Sequence, residues 1–102
     1  MGKTDTINSL SRIISNIAIH EILLEYTNRP ESINHLSYEV IEYSNVAFSK
    51  AEEFNWNSKD ISKIKSKAIK IFKKEMPKRY PDVNYPEEKV GEIIDKIIRE
   101  II

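Results

Sequence analysis

The chain has 102 residues, of which 40% are hydrophobic and 31% charged, and its formal net charge is zero. This length and composition predict one globular domain spanning residues 1–102. A mean hydropathy of −0.47 and the lack of an 18-residue apolar run exclude a transmembrane helix. The absence of cysteine excludes disulfides and thiolate metal sites, and two glycines are too few for a glycine-rich phosphate loop.

Four prolines and one polar turn, residues 55–58, divide the chain into segments whose apolar residues recur with a helical period. The pattern therefore predicts an all-α fold, a compact four-helix bundle with short loops. The expected helices cover about residues 5–27, 31–54, 58–76 and 86–101, with a proline- and tyrosine-rich connector at 77–86.

The first predicted helix is apolar on two sides. Ile7, Leu10 and Ile14 form one stripe, whereas Ile19 and Ile22 project to the opposite side. A helix that is apolar on two sides must be packed on two sides. The pattern predicts either the central helix of the bundle or a helix that also contacts a second subunit.

The second helix carries one apolar stripe with Ile41 and Phe48 at its edge, and we expect the third helix to end at Pro77. The fourth helix has the most apolar stripe in the chain. Its isoleucines alternate steps of three and four residues, as in a coiled-coil seam. We therefore expect a homodimer in which the self-association residues are Ile94, Ile97, Ile98 and Ile101.

Positive charge is concentrated in one segment. Residues 59–79 contain nine basic and two acidic residues, a local charge of +7, while the rest of the chain is acidic. At helical spacing, five of the lysines share one side of the third helix, and we call them the basic strip: Lys59, Lys63, Lys67, Lys70 and Lys74. This strip is either a solvated face paired with acids of the second or fourth helix, or a surface for nucleic acid or an acidic partner. In the second case, Arg79 and Tyr80 extend the contact surface.

The junction of the second and third helices, residues 51–64, has the spacing of a helix-turn-helix in outline. Ala51 is the small residue of the first helix, and Asn55 takes the turn position where a left-handed conformation is usual. The following helix then presents lysines of the basic strip to a major groove. This arrangement is a variant of the nucleic-acid interpretation.

The sequence has no catalytic signature, so we expect neither an enzyme nor a bound cofactor. His20 and His35 are the two histidines, and a metal site built from them with Glu39 is the weakest of the alternatives. We expect both histidines on the surface and the acidic pairs, such as Glu39 and Glu42, in solvent.

Three aromatic residues lie outside the predicted helices. Trp56 is expected to cover the end of the bundle, or else to act as a contact anchor. Tyr80 and Tyr85 in the connector either pin the connector onto the bundle or recognise a partner by stacking.

The leading hypothesis is a small non-enzymatic helical interaction module whose partner is itself or another protein. The alternative is a nucleic-acid-binding or regulatory protein that uses the basic strip. Neither hypothesis involves a membrane, and the N-terminus, which has no signal-peptide pattern, predicts a cytoplasmic protein. The abundance of isoleucine, lysine and asparagine is typical of an AT-rich prokaryotic or viral genome, and in part of a thermophile.

Overall fold

A computed structural model of the protein describes residues 2–26 and 33–102, with side chains described from residue 37 onward in the second range. These ranges contain four helices and no strand: α1 (Lys3–Tyr26), α2 (Ile33–Ala51), α3 (Ser58–Arg79) and α4 (Glu88–Ile101). The predicted all-α four-helix bundle is confirmed, and the helix ends match the prediction or differ from it by at most three residues. No helix in the described ranges combines the length and the hydropathy that crossing a membrane requires.

Helix α1 is the central helix of the bundle. It packs against α2, α3 and α4, whereas α2 and α3 do not contact each other in the described ranges. Polar contacts fix the directions: Lys3 of α1 pairs with Asp60 at the start of α3, so these two helices run parallel. Helix α4 runs antiparallel to α1. Both apolar sides of α1 are therefore covered within one chain, and its pattern alone gives no reason to expect a second subunit.

Among the described residues, the core consists of aliphatic side chains that pack around one large aromatic side chain. Phe72 of α3 is fully buried, and so are Leu10, Ile14 and Ile22 of α1. The ring of Tyr85 meets the ring of Phe72 edge to face, with centroids 5.6 Å apart. This contact ties the connector between α3 and α4 to the core.

A capping box fixes the start of α3. The Oδ1 atom of Asn57 accepts a hydrogen bond from the Asp60 backbone at 2.9 Å, and the Asp60 carboxylate accepts one from the Asn57 backbone at 3.3 Å. Lys3 lies 2.6 Å from the same carboxylate. Its hydrogen bond is the main reason that the pKa of Asp60 is lowered. Above this lowered pKa, the carboxylate joins the start of α1 to the start of α3.

The expected end of the third helix at Pro77 is wrong, because α3 continues through this proline to Arg79. A proline in the last turn costs one hydrogen bond, from its missing N–H to the carbonyl of Lys73. Both Lys73 and Pro77 are exposed, so water can reach this region. The backbone N–H of Tyr80 then donates to the Met76 carbonyl at 2.9 Å and completes the helix end.

Candidate nucleic-acid interface

The basic strip is exposed along α3. All five of its lysines are solvent-accessible, and they lie on the side of the helix that faces away from the core residues Ile64, Ala68 and Phe72. From Lys63 to Lys74 the strip covers about 17 Å at 1.5 Å per residue. Like charges at this spacing repel one another by a few tenths of a kcal/mol per close pair, so the strip stabilises neither its helix nor the bundle.

Among the described residues, no acidic side chain lies within 4.0 Å of the ammonium groups of the basic strip. Helix α2 does not contact α3, so its acids do not pair with these lysines. Helix α4 supplies Asp95, but this carboxylate pairs at 2.9 Å with Lys65, which lies outside the strip. Asp60 is held by Lys3 and by the capping box, and it interacts with Lys63 of the strip only by its charge, beyond 4.0 Å. Intramolecular pairing therefore does not account for the strip.

One edge of α1 adds further polar groups beside the strip. They are Asn8, Arg12 and Asn16, which recur at four-residue intervals. A groove of about 270 Å³ lies between α1 and α3, and its lining includes Asn8, Arg12, Lys67 and Lys70. Lys67 donates to the Oδ1 atom of Asn8 at 2.7 Å. These α1 residues were not among the predicted contact residues, although their spacing of four residues is visible in the sequence. Arg12 is an isolated charge in the sequence, and only the packing of α1 on α3 brings it to the lysines.

Arg79 joins the end of α3 to the same edge of α1. Its Nη1 atom donates to the Oδ1 atom of Asn16 at 3.3 Å, and its guanidinium lies 5.6 Å from the ring centroid of Tyr80. The predicted contact residues Arg79 and Tyr80 are thus continuous with the strip. We call the whole surface the basic face, and it comprises the basic strip with Asn8, Arg12, Asn16 and Arg79.

The amides of this face keep donors for a further acceptor. Asn8 and Asn16 each accept a hydrogen bond through Oδ1, and no described residue accepts one from their Nδ2 atoms. Lysine contributes compact point charges, while Arg12 contributes a planar fork of donors. Cations with amide donors at regular spacing are the groups that contact phosphate oxygens in nucleic-acid complexes.

The helix-turn-helix prediction is wrong in its geometry. No described residue other than glycine has a positive φ, so Asn55 does not take the left-handed turn position. The two helices of such a motif pack on each other, but here α1 lies between α2 and α3. Trp56, in the same junction, is half-buried against the core and donates from Nε1 to the Ala51 carbonyl at 2.7 Å.

His20 was expected on the surface but is buried. Its Nδ1 atom lies 2.7 Å from the carbonyl oxygen of Asn16, and its Nε2 atom lies 2.7 Å from the Oε2 atom of Glu39 on α2. Glu39 was also expected in solvent, but its side chain is half-buried. The reason is that this side of α1 faces α2. The side chain of His35 lies outside the described residues, and in the remainder no group of three metal-binding side chains is present.

The isoleucines predicted to mediate self-association belong largely to the core of one chain. Ile94, Ile97 and Ile98 are buried against the other helices, and Ile101 is half-buried. Their aliphatic surface is thus covered without a partner. Self-association stays a prediction, and of these four residues Ile101 keeps part of its side chain accessible.

The structure thus places exposed cations and amide donors on one side of the bundle. No protein-family model, curated protein or solved structure matches this chain.

Proposed function

We propose that this protein is a non-enzymatic nucleic-acid-binding module that uses the basic face. The observation that carries the proposal is that the five lysines of the basic strip are exposed and have no acidic partner within 4.0 Å among the described residues. The fold holds mutually repelling charges close together, and a bound polyanion neutralises them. Binding also releases the counterions of the polyanion, which favours the complex.

Nucleic acid fits this face better than an acidic protein surface does. The cations recur at a regular helical interval and not as one central cluster, which suits a backbone with evenly spaced phosphates. The lysines offer point charges without the bidentate geometry that reads base edges. Binding through them is therefore expected to depend on phosphates and to discriminate little among base sequences.

The test is fluorescence anisotropy with mixed-sequence duplex DNA and with single-stranded RNA, from low to physiological salt. If the face neutralises about six phosphates, the logarithm of duplex affinity should fall with the logarithm of salt with a slope of about −5. The triple variant Lys63→Gln, Lys67→Gln and Lys70→Gln should lower the affinity and reduce this slope to roughly half.

The matched control removes three lysines elsewhere: Lys50→Gln, Lys89→Gln and Lys96→Gln. These residues lie on α2 and α4, and both triple variants change the net charge equally. The control should therefore bind nearly as the unmodified protein does. Equal loss in the two variants, or no binding at low salt, contradicts the proposal. Tighter binding to polyglutamate than to either nucleic acid would assign the face to an acidic protein.

A second function, self-association through α2, is favoured by a separate observation. Tyr38 and Ile41 are 62% and 60% exposed, and Phe48 on the same side of α2 is 48% exposed. Phe48 also borders a groove of about 200 Å³ between α2 and α4, which Ile101 lines from the other side. Exposed apolar side chains beside a groove are typical of protein contact sites.

Sedimentation equilibrium tests this second function. The mass should rise from 11.9 kDa toward twice that value with concentration, and Ile41→Glu should keep the protein monomeric. Val46→Glu is the matched control, because Val46 is also exposed but lies on another side of α2. A monomer at every concentration, or equal effects of the two substitutions, would refute self-association through this face.

A further inference from the structure

The connector after α3 forms a small open pocket with apolar and aromatic walls. Its volume is about 190 Å³, and its lining consists of Met76, Pro77, Tyr80, Pro81, Val83 and Tyr85. Tyr80 and Tyr85 are half-buried, so each keeps an accessible part of its side chain. The core contact between Tyr85 and Phe72 holds one wall in place.

We propose that this pocket receives one unstacked base of a single-stranded nucleic acid whose phosphates bind the basic strip. The inference rests on the nucleic-acid binding proposed above, and it adds the class of nucleic acid and a base site. The ligand chemistry is a planar aromatic ring attached to a phosphate backbone, which DNA and RNA single strands share.

The pocket is continuous with the basic strip. Pro77 lines the pocket and follows Lys70 by seven residues and Lys74 by three, so all three share one side of α3. Along the helix axis, Pro77 is about 10 Å from Lys70 and about 5 Å from Lys74. A strand that follows the lysines toward the end of α3 therefore arrives at the pocket.

A positive charge lies beside the pocket. The guanidinium of Arg79 lies 5.6 Å from the ring centroid of Tyr80. Arg79 is exposed, so it can contact the phosphate of the nucleotide whose base enters. Aromatic side chains next to cations are the arrangement by which single strands are bound without strong sequence preference.

The pocket has the size of a single base. Pockets for drug-sized ligands measure about 300–1,000 Å³, and this one is smaller, which suits a single ring system and not a whole nucleotide. A base inside a duplex is paired and stacked, and extruding it costs free energy. The pocket should therefore favour single strands and leave duplexes to bind through phosphates alone.

The experiment compares two fluorescent 12-mers of equal charge, a thymidine strand and a fully abasic strand, by anisotropy with the 102-residue protein at low salt. We expect the thymidine strand to bind about tenfold more tightly, since stacking a base on an aromatic side chain is worth roughly one order of magnitude or more. Tyr80→Leu should bring the thymidine strand to the abasic level and leave abasic binding unchanged. Tyr80→Phe, which keeps the ring, should retain the difference.

Tyr38→Leu is the matched control, because Tyr38 is an exposed tyrosine on α2, outside the pocket and the basic face. Circular dichroism and the thermal midpoint verify that each variant folds. Equal, salt-dependent binding of both strands would overturn the base pocket while the basic face stands. Equal weakening of both strands by Tyr80→Leu would also overturn it, since Tyr80 would then act only on the structure. No binding of either strand would overturn the nucleic-acid function itself.

Discussion

Replacing Phe72 with alanine is expected to lower the free energy of unfolding by about 3–5 kcal/mol. Phe72 is the large aromatic side chain of the core, it is fully buried, and it carries the ring contact that holds Tyr85. Truncation removes its burial and leaves a cavity between α3 and its neighbours. A domain of this size is stable by only about 5–15 kcal/mol, so the variant should be near the limit of folding.

Urea denaturation followed by the fluorescence of the single tryptophan, Trp56, measures this loss. Phe48→Ala is the control, because the ring of Phe48 on α2 is exposed. Its effect should stay within about 0.5 kcal/mol at a protein concentration low enough to keep the chain monomeric. A loss below about 1 kcal/mol for Phe72→Ala would contradict the core position assigned to this ring.

The fold was predictable because the apolar residues repeat with a helical period in every segment and the polar turns lie between them. The two apolar sides of α1 allowed two interpretations, a central helix or a helix that also contacts a second subunit. Because the other three helices all pack on α1, the first interpretation accounts for both sides. The end of α3 was predicted too early. A proline in a helix interior usually breaks the helix, because it removes a backbone hydrogen bond. The loss is smaller in the last turn of α3, because Pro77 and Lys73 are both exposed to water.

The candidate site was predictable only in part. The basic strip followed from helical spacing alone, because all of its members belong to α3. Arg12 and the amides of Asn8 and Asn16 belong to α1, and their distance from the lysines depends on which side of α1 meets α3. The burial of His20 could not be predicted for the same reason. Local periodicity fixes the angles of side chains around one helix but not the rotation of that helix against its neighbours.

Replacing His20 with phenylalanine is expected to destabilise the protein by about 2–3 kcal/mol, although an aromatic ring is kept at this position. Both ring nitrogens of His20 lie 2.7 Å from oxygen atoms, one of the Asn16 carbonyl and one of the Glu39 carboxylate. The side chain is nearly inaccessible to solvent, and its bond to Glu39 joins α1 to α2. Phenylalanine occupies the same position but removes both of these polar contacts.

A double-mutant cycle separates the His20–Glu39 bond from the packing of the ring. Combining His20→Phe with Glu39→Ala should give a coupling free energy of about 1–2 kcal/mol in urea denaturation, because the two groups form one charge-assisted hydrogen bond. The same cycle with Glu42→Ala, an exposed neighbour on α2, should be additive to within about 0.5 kcal/mol. Equal coupling in both cycles would mean that His20 senses only the general charge of α2. Strong coupling to Glu39 alone makes this bond the specific link between the central helix and α2, the helix that does not contact the basic strip.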